Sequence, residues 1–261
     1  MDVHELTHVA KFSGGKDSTC MLLKLAEEGI EPKYVIFNFV QGNMPERSLD
    51  VVSEIYDVVR EEVGFSTKLT ILKSEDFLSV MRRQHKPFPN PKVLWCMYVT
   101  KVLPTKRWVR SLHVDRKTTC TDLGVRMYES WKRAKIYGNK RLWRVSELRT
   151  LSGRYAIDDT FYYIYIPILH FTEKDVYSML DKYPRVKHVV FKAYREMGNP
   201  STCYVCPYHT KKFWSSVPEW FRVEALKIIE EMEGMEHITR FRLGYQFLLK
   251  QKRYILQYIG R

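Results

Sequence analysis

Ser13-Gly14-Gly15-Lys16-Asp17-Ser18 brings together, within six residues, what a phosphate group needs from a protein. Two glycines let the main chain approach phosphate oxygens closely, two serines add hydroxyl donors, and Lys16 adds charge. The run follows an apolar stretch from His8 to Phe12 and opens a helical run from Asp17 to Glu28. Backbone N–H groups and the positive end of that helix would converge on the same anion. This is not a Walker A loop: its first glycine would fall at Ala10, and Asp17 stands where Ser or Thr should follow the lysine. A second chemical signal is Cys203-Tyr204-Val205-Cys206, a spacing that suits metal ligation and that short turns also produce.

The elements that must position these residues alternate. After the strand His8–Phe12 and its helix come an apolar run at Tyr34–Phe39 and a helix over Ser48–Val63. That helix carries Val51, Val52, Ile55, Val58 and Val59 at i, i+3, i+4 spacing. Lys68–Leu72 is a third strand, Lys92–Leu112 a helix interrupted by Pro104, and Lys117–Thr121 a further strand. Residues 138–160 read as an irregular insert, Phe161–Leu169 as β-rich, and Thr172 as the N-cap of a helix over Glu173–Lys182. The last sixty residues read as helical. Strands alternating with helices imply βαβ units and a parallel sheet, with ligands along one edge at the strand ends. The expected fold is therefore α/β, a largely parallel, Rossmann-like sheet flanked by helices, over residues 1–210. Residues 211–261 form a helical C-terminal extension.

The loop resembles the signature of the PP-loop ATP pyrophosphatases, the adenine nucleotide alpha-hydrolase-like superfamily. Four further segments resemble the phosphoadenosine phosphosulfate (PAPS) reductase family within it. Trp95-Cys96-Met97-Tyr98-Val99-Thr100-Lys101-Val102-Leu103-Pro104 is similar to its Cys-Cys-x-x-Arg-Lys-Val-x-Pro segment, and Gly124-Val125-Arg126-Met127-Tyr128-Glu129-Ser130 to its Gly-x-Arg-x-x-Glu-Ser segment. Ile166-Pro167-Ile168 followed by Thr172-Glu173-Lys174-Asp175-Val176 is similar to a third, with Phe171 for Trp, and Cys203 to Pro207 closes the series. The resemblance implies that Ser13, Gly14, Gly15, Lys16, Asp17 and Ser18 grip ATP or an adenosine phosphosulfate, with or without Mg. It places the adenosine between Ala10–Phe12 and Phe37–Phe39. Arg126, a guanidinium at a helix start, can take phosphate or sulfate bidentately, with Glu129 orienting it. Lys101 falls inside its own motif and opens the most basic stretch, which favours a phosphate contact over a solvated lysine. The catalytic set implied is Cys96, Lys101 and Arg126.

Iron–sulfur members of the family bind a [4Fe–4S] cluster through an upstream Cys-Cys pair and a downstream Cys-x-x-Cys pair. Here Cys96, Cys203 and Cys206 are present, and Met97 replaces the second upstream cysteine. Thioether is a poor substitute for thiolate in a cluster. Three outcomes stand: a three-cysteine cluster with one exposed iron, zinc held by these cysteines and His209, or no metal. Cys20 reads as a buried apolar residue and Cys120 as a packed strand cysteine rather than a further ligand or redox thiol. Two departures from the family matter. No cysteine follows Cys206, which removes the nucleophile of the thiosulfonate route, and Val40-Gln41-Gly42 stands where the family commonly has Asp-Thr-Gly.

Composition narrows the partners. The 261 residues carry 43 Lys and Arg against 30 Asp and Glu, a net charge of +13. The stretch Lys101–Thr150 alone holds 14 basic against 4 acidic residues. A concentrated positive field suits polyanions, and a solvated basic surface fits the same counts. The tail Arg240–Arg261 sets Arg240, Arg242, Lys250, Lys252 and Arg253 beside Phe241, Tyr245, Leu248, Leu249, Ile255, Leu256 and Ile259. A core-docked helix with a basic face is the first expectation for it, and a nucleic-acid contact through Tyr245, Tyr254 and Tyr258 the second. No apolar run approaches the roughly 20 residues that span a bilayer, the start carries no secretory signal, and an odd cysteine count argues against a disulfide framework. A cytoplasmic protein follows. The expected activity is ATP-dependent adenylation and sulfur transfer from a sulfur or thiol donor to an acceptor such as tRNA or DNA. The alternatives are a sulfonucleotide reductase and a nucleotide-binding module without catalysis.

Overall fold

A computed structural model describes residues 2–85, 89, 95–152, 160–206, 211–233 and 242–258. The chain divides into two compact units, each assembled from separate stretches. One takes Met1–Asn38, Glu46–Leu72 and Thr105–Ser201; the other takes Phe39–Pro45, Lys73–Pro104 and Thr202–Arg261.

The first unit is built on a six-stranded sheet ordered β3-β2-β1-β4-β6-β5. Its strands are β1 (Thr7–Lys11), β2 (Tyr34–Phe39), β3 (Leu69–Lys73), β4 (Thr119–Leu123), β5 (Leu142–Arg144) and β6 (Tyr163–Tyr165). β1 runs parallel to β2 and β4, and β4 parallel to β6. This is the largely parallel α/β sheet that the alternation of strands and helices predicts. β1 buries His8, Val9 and Ala10 consecutively, the pattern of a central strand covered on both faces rather than of a half-exposed one. Helices α1 (Lys16–Glu27) and α2 (Arg47–Val63) follow β1 and β2. The buried stripe of α2 is Val51, Val52, Ile55, Tyr56 and Val59, so Tyr56 joins the face and Val58 is only half-buried. Thr172 caps α8 (Glu173–Asp181) as expected, its hydroxyl accepting from the Asp175 N–H while Asp175 accepts from the Thr172 N–H. α9 (Pro184–Met197) comes next.

Because β1 lies between β2 and β4, the chain leaves it in opposite directions across the sheet. The carboxyl ends of β1 and β4 therefore border the crevice in which open α/β sheets bind ligands. The turns that leave the sheet there are residues 12–15 and 124–126.

Several boundaries differ from the sequence reading. β4 extends through Asp122 and Leu123, beyond the expected end at Thr121, because Asp122 is buried against His8 instead of ending the strand in solvent. The insert expected at 138–160 is partly regular: β5 pairs antiparallel with β6, Trp143 opposite Ile164, and leads into α7 (Val145–Ser152). Leu148 of α7 packs with Val145, Ile164, Ile166 and Leu169. Residues 153–159 lie outside the described residues. Within Phe161–Leu169 only Tyr163–Tyr165 is strand, and Pro167, with no N–H to give a ladder, follows closely. Pro104 does not break its helix. Helix continues from α4 (Trp95–Met97) through a π-helical turn, Tyr98–Val102, into α5 (Leu103–Ser111). The widened turn just before the proline absorbs its missing donor and its ring.

The second unit contains α3 (Phe77–Gln84), α10 (Glu219–Glu233) and a last helix, Arg242–Leu256. Arg82 joins α3 to α10 by pairing with Glu224 at 2.7 Å and Glu231 at 3.0 Å. Ile255 is buried, and Lys252 donates to Glu233 at 2.6 Å, so part of the basic tail is docked on α10. Arg240, Phe241, Ile259 and Arg261 lie outside the described residues. None of the described helices is long and apolar enough to cross a membrane.

Leu148→Ala separates a docked α7 from a loose insert. Removing a fully buried leucine from this cluster should cost about 2–5 kcal/mol in a denaturant titration, whereas a solvated loop residue would change stability by less than about 0.5 kcal/mol.

Candidate functional site

The first unit presents the Ser13–Ser18 loop between β1 and α1. Gly14 has φ of +72°, and a Cβ there would stand 2.9 Å from Val52 Cγ2, so the residue must be glycine on both counts. Gly15 caps α1 with no side-chain bond of its own. The serines hold the loop closed. Ser13 N donates to Ser18 Oγ at 3.1 Å, the two hydroxyls lie 2.9 Å apart, and Ser18 Oγ donates to Gly15 O at 3.0 Å. Ser18 is itself buried, so its hydroxyl shapes the loop from within.

Asp17 is the electrostatic hinge of this site. It accepts from Arg126 Nε at 2.9 Å and from Lys16 Nζ at 3.3 Å. Arg126 is buried, unusual for a residue of its charge. Glu129 accepts from the Arg126 backbone N–H at 3.2 Å, but its carboxylate pairs with Arg133, and it stands 4.0 Å from Arg126 Nη2. The residue that orients the guanidinium is thus Asp17. Gly124 makes this possible: a Cβ there would lie 2.7 Å from Ser18 Cα and 2.9 Å from Asp17 O. The turn after β4 is pressed directly onto the first turn of α1, which carries Arg126 to the phosphate loop.

Two residues near the loop gave no sequence signal. Tyr194 of α9 accepts from the Lys16 N–H at 3.3 Å, and Asn199 Oδ1 lies 3.7 Å from where a Gly15 Cβ would stand. Both come from more than 170 positions downstream, and neither lies in a motif. Lys16 Nζ also lies 3.6 Å from Glu173 Oε1.

The second unit holds Cys96, Lys101, Cys203 and Cys206, and the three cysteines are free thiols. Burial, then the neighbouring Cys203 and Cys206, push the Cys96 thiol up to about 11, with Lys101 pulling the other way. Burial raises Cys203 as well, again opposed by Lys101. Lys101 therefore acts electrostatically on the cysteines. His209, a candidate zinc ligand, lies outside the described residues. The turn between Cys203 and Cys206 is held by a residue that the sequence reading did not single out. Asn43 Oδ1 accepts from Val205 N at 2.8 Å, Asn43 Nδ2 donates to Val205 O at 3.2 Å, and Asn43 O accepts from Tyr204 N at 2.6 Å. Asn43 is buried, so this amide fork is dry.

Cys20 is buried with its thiol on Val176 O, and burial pushes it up to about 12, the inert packed cysteine expected. Cys120 is likewise buried on β4.

Two variants test these placements. Gly124→Ala, by forcing the turn off α1, should weaken ATP binding at least about tenfold, or 1.4 kcal/mol, in calorimetry, with the circular dichroism unchanged; undiminished affinity would show that the contact is irrelevant to the loop. If Cys96, Cys203 and Cys206 hold a metal, as the family resemblance implies, Asn43→Ala should lower its retention against a chelator, and Asn43→Asp, which keeps the acceptor for Val205 N–H, should fall between Asn43→Ala and the unaltered protein. Equal retention in all three proteins would remove Asn43 from the account.

No curated protein matches the chain. Among solved structures, the U34-tRNA thiolase NcsA from Methanococcus maripaludis with its [4Fe-4S] cluster is 17% identical, with 98% of this chain and 74% of that chain covered and a TM-score of 0.43. Residues 7–207 match the family model of the phosphoadenosine phosphosulfate reductase domain. That span takes in the phosphate loop, the Arg126 turn and all three cysteines of the second unit, and the chain belongs to that family.

Proposed function

We propose that this protein is a PP-loop enzyme that adenylates an acceptor with ATP and replaces an oxygen of that acceptor by sulfur. The carrying observation is the pairing of buried Arg126 with half-buried Asp17 at the mouth of the Ser13–Ser18 loop. It sets a guanidinium beside a helix N-terminus and a glycine turn, an arrangement that rewards a polyphosphate. The acceptor carbonyl oxygen attacks the α-phosphorus, the bond to the β-phosphate breaks and pyrophosphate leaves. Hydrosulfide then attacks the activated carbon, and AMP departs with the former carbonyl oxygen. Acceptor, ATP and sulfide thus give thiocarbonyl, AMP and pyrophosphate with no change of oxidation state. Gly14, Gly15, Lys16 and Arg126 hold the phosphates in line and take up the charge that develops on the leaving pyrophosphate.

The metal we propose for Cys96, Cys203 and Cys206 is a [4Fe–4S] cluster, in which each thiolate takes a different iron; zinc on the same thiolates is the alternative. With Met97 in the fourth place, such a cluster would supply one iron open to sulfide. Lys101 beside the thiols favours their ionised form.

Nucleic acid is the acceptor class the surface favours. Tyr128 and Trp131 are exposed at 63% and 76%, and Lys135 Nζ sits 5.1 Å over the Trp131 ring. Exposed rings flanked by cations suit unstacked bases and backbone phosphates. Arg133 and Lys140 are paired with Glu129 and Glu147, so they add less to the field than their count suggests.

The decisive assay incubates anaerobically prepared protein with ATP, sulfide and bulk tRNA or single-stranded DNA, and measures pyrophosphate and thiolated nucleoside. Equal amounts of both are expected. Reduction of PAPS by a thiol donor, without pyrophosphate release, would instead make the protein a sulfonucleotide reductase. Binding of nucleic acid should weaken with salt at a log–log slope of about −0.7 per phosphate contacted on single strands, and Trp131→Ala should weaken it with ATP affinity unchanged; absence of binding at low salt would exclude this acceptor class.

A further inference from the structure

Apart from both sites, three metal-ligating side chains meet inside the sheet of the first unit. His8 on β1 stands opposite Cys120 on β4 in the parallel register. Asp122, two residues further along β4, faces the same side of the sheet as Cys120. All three are buried, His8 to 3% exposure and the other two completely. His8 Nδ1 lies 2.7 Å from Asp122 Oδ1 and 3.3 Å from Cys120 Sγ, and Cys120 Sγ lies 3.7 Å from Asp122 Oδ1. Among the described residues, this is the one group of three such side chains whose ligand atoms all fall within 4.8 Å of one another.

Protons satisfy only part of the arrangement. His8 Nε2 lies 3.0 Å from Val3 O. A carbonyl only accepts, so Nε2 carries a hydrogen, and Nδ1, with or without a second proton, faces the Asp122 carboxylate. A proton shared between Nδ1 and Asp122 Oδ1 would satisfy those two atoms alone. Asp122 Oδ2 is buried with no hydrogen-bond partner among the described residues, and an orphaned carboxylate oxygen is costly in a dry core.

We propose that His8, Cys120 and Asp122 form a structural site for a divalent ion of the zinc class. The donors are His8 Nδ1, the Cys120 thiolate and both Asp122 oxygens, a set of nitrogen, sulfur and oxygen ligands that zinc accepts in four-coordination. Thiolate, carboxylate, neutral imidazole and a doubly charged ion sum to zero, which removes the cost of burying the two anions. An imidazole whose second N–H rests on a backbone carbonyl is the usual second contact of a metal-bound histidine. The ion would tie β1 to β4 below the phosphate loop and, being enclosed, would enter as the strands pair during folding. The site is independent of the proposed sulfur transfer, because none of its residues belongs to the loop or to the Cys96, Cys203 and Cys206 group.

The test uses the full chain with those three cysteines replaced, Cys96→Ser, Cys203→Ser and Cys206→Ser, refolded with cobalt(II) as a spectroscopic stand-in. One cobalt per chain is expected, with a thiolate-to-cobalt charge-transfer band and the strong visible bands of a four-coordinate ion. Adding Cys120→Ala should remove the charge-transfer band and the bound ion, and adding His8→Ala should remove the ion. No cobalt in the refolded protein, or cobalt that survives Cys120→Ala, would overturn the proposal. Should the triply substituted chain not fold, zinc analysis of the otherwise unaltered protein decides: it should hold one more zinc than its Cys120→Ala variant, and equal contents would refute the site.

Discussion

Everything at the phosphate loop depends on one close approach, that of the turn after β4 to the first turn of α1. With Gly124 in place, the backbone at Ser18 and Asp17 comes within distances that a side-chain carbon could not tolerate. The approach follows from the sheet order. β1 and β4 are neighbours, their carboxyl ends lie side by side, and the helix after one must share space with the turn after the other. From that contact come the Arg126–Asp17 pair, the burial of Arg126 and the fixed direction of the guanidinium. A half-buried pair of this kind is poor evidence for stability, since desolvation of Arg126 offsets much of its attraction. Under the proposed function its value is positional: it would hold a positive fork at the loop before any anion arrives, so that the ordering cost is met by folding rather than by binding.

The second unit solves a related problem differently. Its cysteines are far apart in sequence and sit on a π-helical turn's approach and on a short downstream turn. Backbone contacts, not side-chain packing alone, fix the latter: one asparagine amide satisfies both the donor and the acceptor of Val205, and the asparagine carbonyl takes the next N–H back. Asn43 falls directly after Val40-Gln41-Gly42, the stretch in which this chain departs from the family's Asp-Thr-Gly. A segment that lost one polar motif thus supplies a different polar contact.

The parts of the molecule that were readable from the sequence are those dictated by local chemistry. The glycine-rich turn, the amphipathic stripe of α2 and the Thr172 cap each follow from neighbours within a few residues, and the structure holds all three. The parallel sheet was readable for a related reason, since strand and helix periodicities alternate plainly in the first third. What escaped was set by partners distant in sequence. Asp122 fell outside the expected strand, which ended at Thr121, because its buried partner, His8, lies 114 positions away. Tyr194 and Asn43 sit in no motif and act only through backbone atoms that folding brings to them. β5, three residues long among arginines and serines, carries too little periodicity to stand out, and Asp17 rather than Glu129 orients Arg126 because tertiary contact overrides the i+3 rule.

The central claim is that the loop and Arg126 recognise the phosphates of an adenine nucleotide, and the most direct measurement is the affinity of the intact protein and of Arg126→Ala for ATP and for adenosine. A charge-assisted bond of this type contributes about 1.5–3 kcal/mol. The intact protein should therefore bind ATP far more tightly than adenosine, and Arg126→Ala should lose roughly ten- to hundredfold toward ATP with no change toward adenosine. Equal affinity for ATP and adenosine, or an Arg126→Ala variant that binds ATP as tightly as the intact protein, would contradict the account.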